Sequence, residues 1–174
     1  MKLSEKAAFF IQKSFSFLRL DKLIMLLKDF LTKKKYYSIK LTKTRTNHFE
    51  LKAKINGVKG SFILDTGASN TCVGFEKASY FKLNAQDSEI KAAGAGATEM
   101  LTKEAIDVQI KIGKWQYHNL HLVLLDLTHV NTALINHHAK PVDGIIGADI
   151  LKKGKAIIDY NKKRLYLKKR VFLF

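Results

Sequence analysis

The stretch FILDTGASNT, residues 62–71, places an acid, Asp65, directly after three apolar residues. A carboxylate in apolar surroundings costs free energy unless it is paired or neutralised. Asp65 is therefore either a loop residue that happens to follow a strand, or an acid kept in place for chemistry. The sequence on either side of this stretch decides between the two interpretations.

The residues before Asp65 predict a β-hairpin. Between residues 49 and 55 apolar residues alternate with polar ones, a period of two that is typical of a half-buried strand. Asn56 and Gly57 follow, and this pair favours a tight turn because both central residues of such a turn need positive φ. The second arm runs directly into Asp65, which places the acid at a strand end, before a loop that Gly67 allows to turn sharply.

The rest of the chain from residue 36 onward is predicted to consist mainly of strands. Glycines at 94 and 96 interrupt one of them, and alanines flank both glycines, which indicates a mobile hairpin tip. The predicted elements are a short helix at 76–83, strands at 89–100, 101–112 and 115–127, a polar connector at 128–143, a short strand and helix at 144–154, and a last hairpin around 161–162.

Residues 1–31 predict an amphipathic helix, or two, because their apolar residues recur at spacings of three and four. Charged residues interrupt every apolar stretch well before the roughly 18 residues that a membrane-spanning helix needs. No apolar core with a small-residue cleavage site follows, so we expect a protein that stays in the cytoplasm. We divide the chain into a basic helical extension, 1–35, and a folded domain, 36–174.

The apolar stripe of this helical extension needs a covering surface. Two options are open: the folded domain or its dimer, and an anionic membrane surface in peripheral contact with the helix. Asp21 and Asp29 dilute the basic face, which favours protein over lipid.

The formal net charge of +16 is concentrated at the two ends of the chain. Residues 1–56 hold 14 basic and 4 acidic residues, residues 57–151 hold 8 and 10, and residues 152–174 hold 9 and 1. The segment around Asp65 is therefore nearly neutral. Solvated surfaces, an anionic membrane and nucleic acid all fit the basic ends. Since no RNA-binding or helix-turn-helix signature is present, we expect no specific nucleic-acid partner.

Cysteine and histidine usage predicts neither a metal site nor a cofactor. Cys72 is the single cysteine, which rules out an intrachain disulfide and a cysteine-rich zinc site, and we expect a small buried thiol. On a strand, His118 and His121 would point to opposite faces, because their separation is odd. The adjacent pair at 137 and 138 could not easily share a face either.

Three features together resemble the retropepsin-like aspartic proteases of clan AA, in their bacterial, single-domain form. They are the Asp-Thr-Gly-Ala-Ser run after an apolar strand, the glycine-bearing hairpin about 30 residues further on, and the segment GIIGADIL at 144–151. The resemblance extends over roughly residues 36–170. It implies an all-β fold, a closed β-barrel with short helices, to which the N-terminal helical extension is added.

The resemblance also implies roles for individual residues. Asp65 resembles the catalytic acid, and Thr66 and Gly67 complete its motif. Residues 93–97 resemble the tip of the flap that covers bound peptide, and residues 145–147 resemble the segment that packs under the Asp65 loop. The positions implied to contact substrate are Ala68, Ser69, Ala93, Gly94, Ala95, Gly96, Ala97, Ile145 and Ile146.

A single Asp-Thr-Gly leaves the second catalytic acid to be found. Asp143 and Asp149 are candidates, but neither is followed by Thr-Gly or Ser-Gly, and Asp149 is better placed to stabilise a helix N-terminus. We therefore expect the second acid to be Asp65 of another copy in a C2 homodimer. Gly147-Ala148 stands where retroviral enzymes commonly have Gly-Arg, so the dimer needs a different brace.

Two functions of different classes follow from this interpretation. The first is an aspartic endopeptidase that hydrolyses a peptide or protein substrate with water activated between two Asp carboxyls. The alternative is a catalytically inactive module that keeps the fold for dimerisation or peptide binding.

Overall fold

The computed structural model describes residues 27–88, 92–94 and 97–169 of the chain. The chain divides into two compact units with the boundary after Tyr36. One helix, α1, is described at residues 27–33, and the rest of the predicted helical extension lies outside the described residues. The division at 35/36 and the covering surface of the apolar stripe therefore stay predictions. Of the helices described, none is both long and apolar enough to span a bilayer.

The unit that follows this boundary is built almost entirely of strands. Three short helical segments interrupt them: a 3₁₀ turn (Phe75–Lys77), α2 (Thr128–Asn136) and α3 (Ala148–Lys153). The strands are β1 (Tyr36–Lys40), β2 (Thr42–Lys43), β3 (Phe49–Ile55), β4 (Val58–Leu64), β5 (Cys72–Gly74), β6 (Gln86–Asp87), β7 (Ala92–Gly94), β8 (Ala97–Met100), β9 (Lys103–Ile112), β10 (Trp115–Leu125), β11 (Gly144–Ile146), β12 (Ile157–Asp159) and β13 (Arg164–Lys168).

Six of the strands close into a barrel. They follow the order β3-β4-β11-β5-β10-β9, and β9 pairs back onto β3, so the ring has no open edge. Alternate residues of these strands point inward and are buried, as a period of two requires. The expected all-β closed barrel with short helices is confirmed. The large, wholly buried side chains include Phe62, Phe81, Ile110, Trp115 and Ile146.

The two predicted hairpins at either end of the domain are present. β3 and β4 pair from Phe49↔Leu64 to Ile55↔Val58, and the turn residues Asn56 and Gly57 have φ of 47° and 83°. β12 and β13 form the last hairpin, and β1 pairs with the other edge of β13. In both cases a local turn signal was sufficient, because hairpin pairing needs no distant partner.

The sequence interpretation was wrong for residues 76–83, where a helix was expected. The 3₁₀ turn ends at Lys77 and is followed by irregular turns. The side-chain amide of Asn56 donates to the backbone carbonyls of Phe81 and Lys82. Lys82 has a φ of 54°, which no right-handed helix accommodates. A contact from the β3–β4 turn therefore outweighs the local helix pattern.

The predicted polar connector at 128–143 was also an error, because it contains the nine-residue helix α2. Leu134 is buried and Val130 packs beside it, in a small cluster with Ile63 and Val142 on the outside of the barrel. The apolar residues of this segment have the spacing of a helix. The Thr, His and Asn residues between them have low helix propensity, so propensity alone does not predict a helix here. Tertiary packing on Ile63 stabilises what propensity alone would not.

Gly144 offers a test of how tightly the strands pack at the start of β11. A Cβ at this position would lie 2.2 Å from the backbone carbonyl oxygen of Cys72, which cannot move without opening the β5–β11 pair. We expect Gly144→Ala to destabilise the fold by about 3 kcal/mol in urea unfolding. Gly57→Ala, which meets no atom within 4 Å but keeps a φ of 83°, should cost only about 1 kcal/mol. A Gly144→Ala loss no larger than the Gly57→Ala loss would contradict this packing.

Candidate active site

Asp65 lies where the carboxyl ends of two parallel strands meet. β4 and β11 pair in parallel, with Ile146 opposite Leu64, so the residues that follow both strands enter loops at the same edge of the barrel. The backbone N–H of Asp65 donates to the carbonyl of Ile146 at 3.1 Å. This bond continues the ladder by one residue and holds the start of the Asp65 loop beside the start of the next one.

The Asp65 carboxylate is oriented by its own loop. The backbone N–H of Gly67 donates to Asp65 Oδ1 at 2.8 Å. A Cβ on Gly67 would lie 3.2 Å from the same oxygen, so a side chain there would crowd the acid that the amide orients.

In the single chain, this motif is open to solvent. Asp65, Thr66 and Gly67 are all exposed. The apolar surroundings that the sequence suggested for the acid are therefore absent from one copy of the chain.

The second loop, which leads from β11 into α3, packs against the first through its backbone. The N–H groups of Ala148 and Asp149 donate to the carbonyls of Ala68 and Ser69 at 2.8 and 3.2 Å. These are amides of the first helical turn, which have no partner inside the helix. The loop that carries Asp65 thus satisfies the N-terminus of α3, and the predicted contact of Ala68 and Ser69 with substrate stays a prediction.

Thr71 joins the two loops through its side chain, and the sequence analysis missed it. The Thr71 hydroxyl donates to Asp149 Oδ1 at 2.7 Å and accepts from the N–H of Gly147 at 3.0 Å, while its own N–H donates to the same Asp149 oxygen. Thr71 is wholly buried. Its signal in the sequence is faint: a polar residue placed between the loop and the apolar strand β5.

Gly147 completes this junction by allowing close approach. A Cβ there would lie 2.5 Å from the carbonyl carbon of Asn70 and 2.6 Å from its oxygen, so only glycine fits. Asp149 lies in the first turn of α3, as predicted, but its carboxylate does not cap the helix. Its carboxylate accepts a hydrogen bond from the Thr71 hydroxyl across the junction. The free N–H groups at the start of α3 donate to carbonyls of the Asp65 loop instead.

Asp143, the other candidate for a second acid, is also used structurally. Its Oδ2 accepts from the N–H of Ser61 at 2.9 Å, and its Oδ1 forms an ion pair with Lys77 at 2.8 Å. The hydrogen bond to Asp143 raises the pKa of Lys77, which keeps that lysine charged. Asp143 and Asp149 therefore both serve to tie β11 and α3 to neighbouring strands.

Cys72 is a buried structural thiol, as predicted. Burial raises its pKa to about 12, so the thiol stays protonated at neutral pH and is a poor nucleophile.

The glycine-bearing hairpin has a different pairing from the one expected. β7 pairs with β8 through Gly94↔Ala97, so the return arm begins at Ala97, not at residue 101. β6 and β9 continue the two arms at Gln86↔Glu104. The predicted flap-tip residues Ala93, Gly94 and Ala97 lie on the strands at this tip, while Ala95 and Gly96 lie outside the described residues.

The residues expected beneath the Asp65 loop are in place. Ile146 is wholly buried and Ile145 is half-buried in β11, beside the end of β4. The packing role that the resemblance implied for them agrees with this position. Contact of either residue with substrate stays a prediction.

Comparison with known proteins agrees with the barrel fold. Residues 51–150, more than half of the chain, match the family model described as aspartyl protease. The chain belongs to the aspartyl protease family. Membership identifies it as a hydrolase of the aspartic-type peptidase class, as the sequence analysis predicted.

One solved structure shares the fold of this aspartyl protease, and a second is reported beside it. A retropepsin-like aspartic protease from Rickettsia conorii is 21% identical, with a TM-score of 0.53 over 78% of this chain and 92% of the other. EIAV protease, complexed with the inhibitor HBY-793, is 20% identical, with a TM-score of 0.45 over 63% and 90%. No curated protein matches the sequence.

The Thr71 junction can be tested without changing the shape of the side chain. Thr71→Val removes the hydroxyl from a buried site and leaves Asp149 and the N–H of Gly147 short of a partner. We expect a loss of about 1–3 kcal/mol in the free energy of unfolding, measured with urea. Thr71→Ser keeps the hydroxyl and should lose much less. Equal losses for the two variants would show that the hydroxyl does not hold the loops together.

Proposed function

We propose that this aspartyl protease is an endopeptidase that acts as a homodimer, with Asp65 from each copy forming the catalytic pair. The exposed Asp65 loop carries this proposal. A single chain presents one oriented carboxylate to solvent, while Asp143 and Asp149 are bonded to Ser61, Lys77 and Thr71. The partner acid that the reaction requires therefore comes from a second copy.

Two-fold symmetry supports this choice of partner. A C2 interface brings the same surface of both copies together, so a loop that lies at the axis meets its own counterpart. Joining two exposed Asp65 loops would exclude water from both carboxylates. The dimer would thereby supply the low-polarity surroundings that the single chain lacks.

The chemistry needs two carboxyls in different protonation states. Two carboxylates held close together resist ionising at the same time, so the pair keeps one proton, an effect best known from the aspartic proteases themselves. The ionised carboxylate takes a proton from water as the water attacks the peptide carbonyl. The protonated carboxyl donates a hydrogen bond to the carbonyl oxygen, on which negative charge develops.

An extended peptide or protein segment fits as the substrate. Within the described residues, the β6–β9 and β7–β8 pairs form a two-stranded arm with Gly94 near its tip, a form that can open and close over a bound chain. Closure would shield the attacked carbonyl from bulk water. We assign the flap role to this hairpin, and substrate contact to its tip and to the residues that follow Asp65.

Replacing the acid tests the proposed reaction. Asp65→Asn keeps the shape of the side chain but removes the titrating oxygen, so we expect peptide hydrolysis to fall by at least about a thousandfold. A peptide library digested at several pH values supplies the readout, with circular dichroism to establish that the variant is folded. Asp107→Asn is the matched control, because it makes the same acid-to-amide change at an exposed residue of β9, away from the site. Hydrolysis that survives in Asp65→Asn would refute the mechanism, whereas a wild-type chain that binds peptides without cleaving them would favour the peptide-binding module.

Mixed dimers test whether two copies share one site. Wild-type chains refolded together with an equal amount of Asp65→Asn chains should show about half the activity of the same wild-type chains alone, because random pairing places half of them beside an inactive partner. Chains folded separately and mixed just before the assay are the control and should keep full activity. Full activity after joint refolding would show that one chain carries the whole site.

A further inference from the structure

Three lysines on neighbouring strands of the barrel stand directly opposite one another. Lys59 of β4 pairs with Lys54 of β3, and Lys54 pairs with Lys111 of β9 on its other side. We call these three residues the lysine row. Residues 54 and 111 are 57 positions apart in the chain, so closure of the barrel, not local sequence, brings them together.

The lysine row points outward. Its members alternate with the buried residues Ala53, Gly60 and Ile110, and Lys59 and Lys111 are exposed while Lys54 is half-buried. Strands lie about 4.8 Å apart, so the row spans roughly 10 Å across the barrel surface. Like charges placed directly opposite each other on a sheet are destabilising, so neutral residues at these three positions would leave the fold more stable.

No acid neutralises the lysine row within the described chain. The ion pairs of lysine there are made by Lys52, Lys77 and Lys103, and none involves the row. Glu50 lies on the same outward side of β3, but it already accepts hydrogen bonds from Lys52 and Ser61. The row is therefore a concentrated positive surface whose charge is left for an anionic partner to neutralise.

The lysine row lies away from the Asp65 loop. Lys59 precedes Asp65 by six residues along β4, a separation of about 20 Å in an extended strand. The β3–β4 turn, beside Lys54 and Lys59, is at the opposite end of that hairpin from the acid. A partner could occupy the row while the Asp65 edge of the barrel stays free.

The kind of basic residue indicates the kind of partner. The chain contains 31 basic residues, of which 4 are arginine, at 19, 45, 164 and 170, and the remaining 27 are lysine. Arginine provides a planar fork for bidentate recognition of a particular phosphate or carboxylate, whereas lysine is a hydrated point charge. A surface of lysine alone suits a layer of many mobile anionic groups better than a single defined one.

We propose that the lysine row is a docking surface for an anionic membrane, and that it holds the protein at the lipid headgroups. Each lysine close to an anionic leaflet adds a comparable increment of attraction, and no fixed geometry is required between lysine and lipid. This inference is independent of the proposed reaction, because it concerns binding by the full chain and its test measures no hydrolysis.

Vesicle co-sedimentation with the full chain tests this surface. Vesicles of phosphatidylcholine with 30% phosphatidylserine, roughly the anionic content of a charged leaflet, are compared with pure phosphatidylcholine vesicles in about 0.1 M salt. We expect binding to the anionic vesicles only. The triple variant Lys54→Gln, Lys59→Gln, Lys111→Gln should bind them on the order of a hundredfold more weakly.

A second triple variant controls for net charge. Lys43→Gln, Lys155→Gln, Lys163→Gln removes the same three charges from exposed positions outside the row and should weaken binding by clearly less. Equal weakening by the two variants, or undiminished binding by the row variant, would overturn the proposal. Urea unfolding of both variants establishes that each is folded.

Soluble polyanions decide between the membrane and other anionic partners. A single-stranded oligonucleotide and poly-glutamate are titrated against the labelled chain at the same salt concentration. We expect weak binding that the row variant and the control variant reduce equally. Binding to either polyanion that is tighter than to the anionic vesicles, and that is lost in the row variant alone, would replace the membrane with that class of partner.

Discussion

The parallel pairing of β4 with β11 is the constraint on which the rest of the structure depends. It brings residues 62–64 beside residues 144–146, and the bond from the Asp65 N–H to the Ile146 carbonyl extends the pair into both loops. Parallel strands cannot be joined by a tight turn, so the 79 residues between β4 and β11 must form a long connection that runs from the end of β4 back to the start of β11. That excursion contains β5 to β10 and α2, and the pairing of β5, β9 and β10 closes the barrel.

Backbone groups and one buried side chain then make the two loops into a rigid unit. Ala68 and Ser69 satisfy the first amides of α3, and Thr71 bonds both Asp149 and Gly147. The carboxylate of Asp65 takes no part in these bonds: it accepts from the N–H of Gly67 and is exposed to solvent. Within the described residues, the fold therefore holds one oriented acid at an exposed edge and pairs it with no second acid, which is the condition that a shared, two-copy site requires.

The barrel also redistributes the charge of the chain. Along the sequence, residues 57–151 are nearly neutral, with 8 basic and 10 acidic residues, and they suggest no basic surface. In the folded chain the acids Asp143 and Asp149 are used inside the structure, whereas Lys59 and Lys111 from the same segment join Lys54 on the outside. Charge counted along a segment is thus a poor guide to charge on a surface.

The sequence by itself determined the features that depend on neighbours along the chain. Alternation over residues 49–55, the Asn56-Gly57 turn and the apolar approach to Asp65 specified a hairpin ending in an acid. The second copy inferred from the single Asp-Thr-Gly stays a prediction. Only the tertiary structure decided what depends on residues distant in sequence. Thr71 and Asp149 are 78 positions apart, α2 is stabilised by Ile63 on another strand, and the lysine row exists because β9 returns to β3. Periodicity reports which face of a strand or helix is buried, but pairing register between remote strands is set when the barrel closes, and these contacts follow from that register.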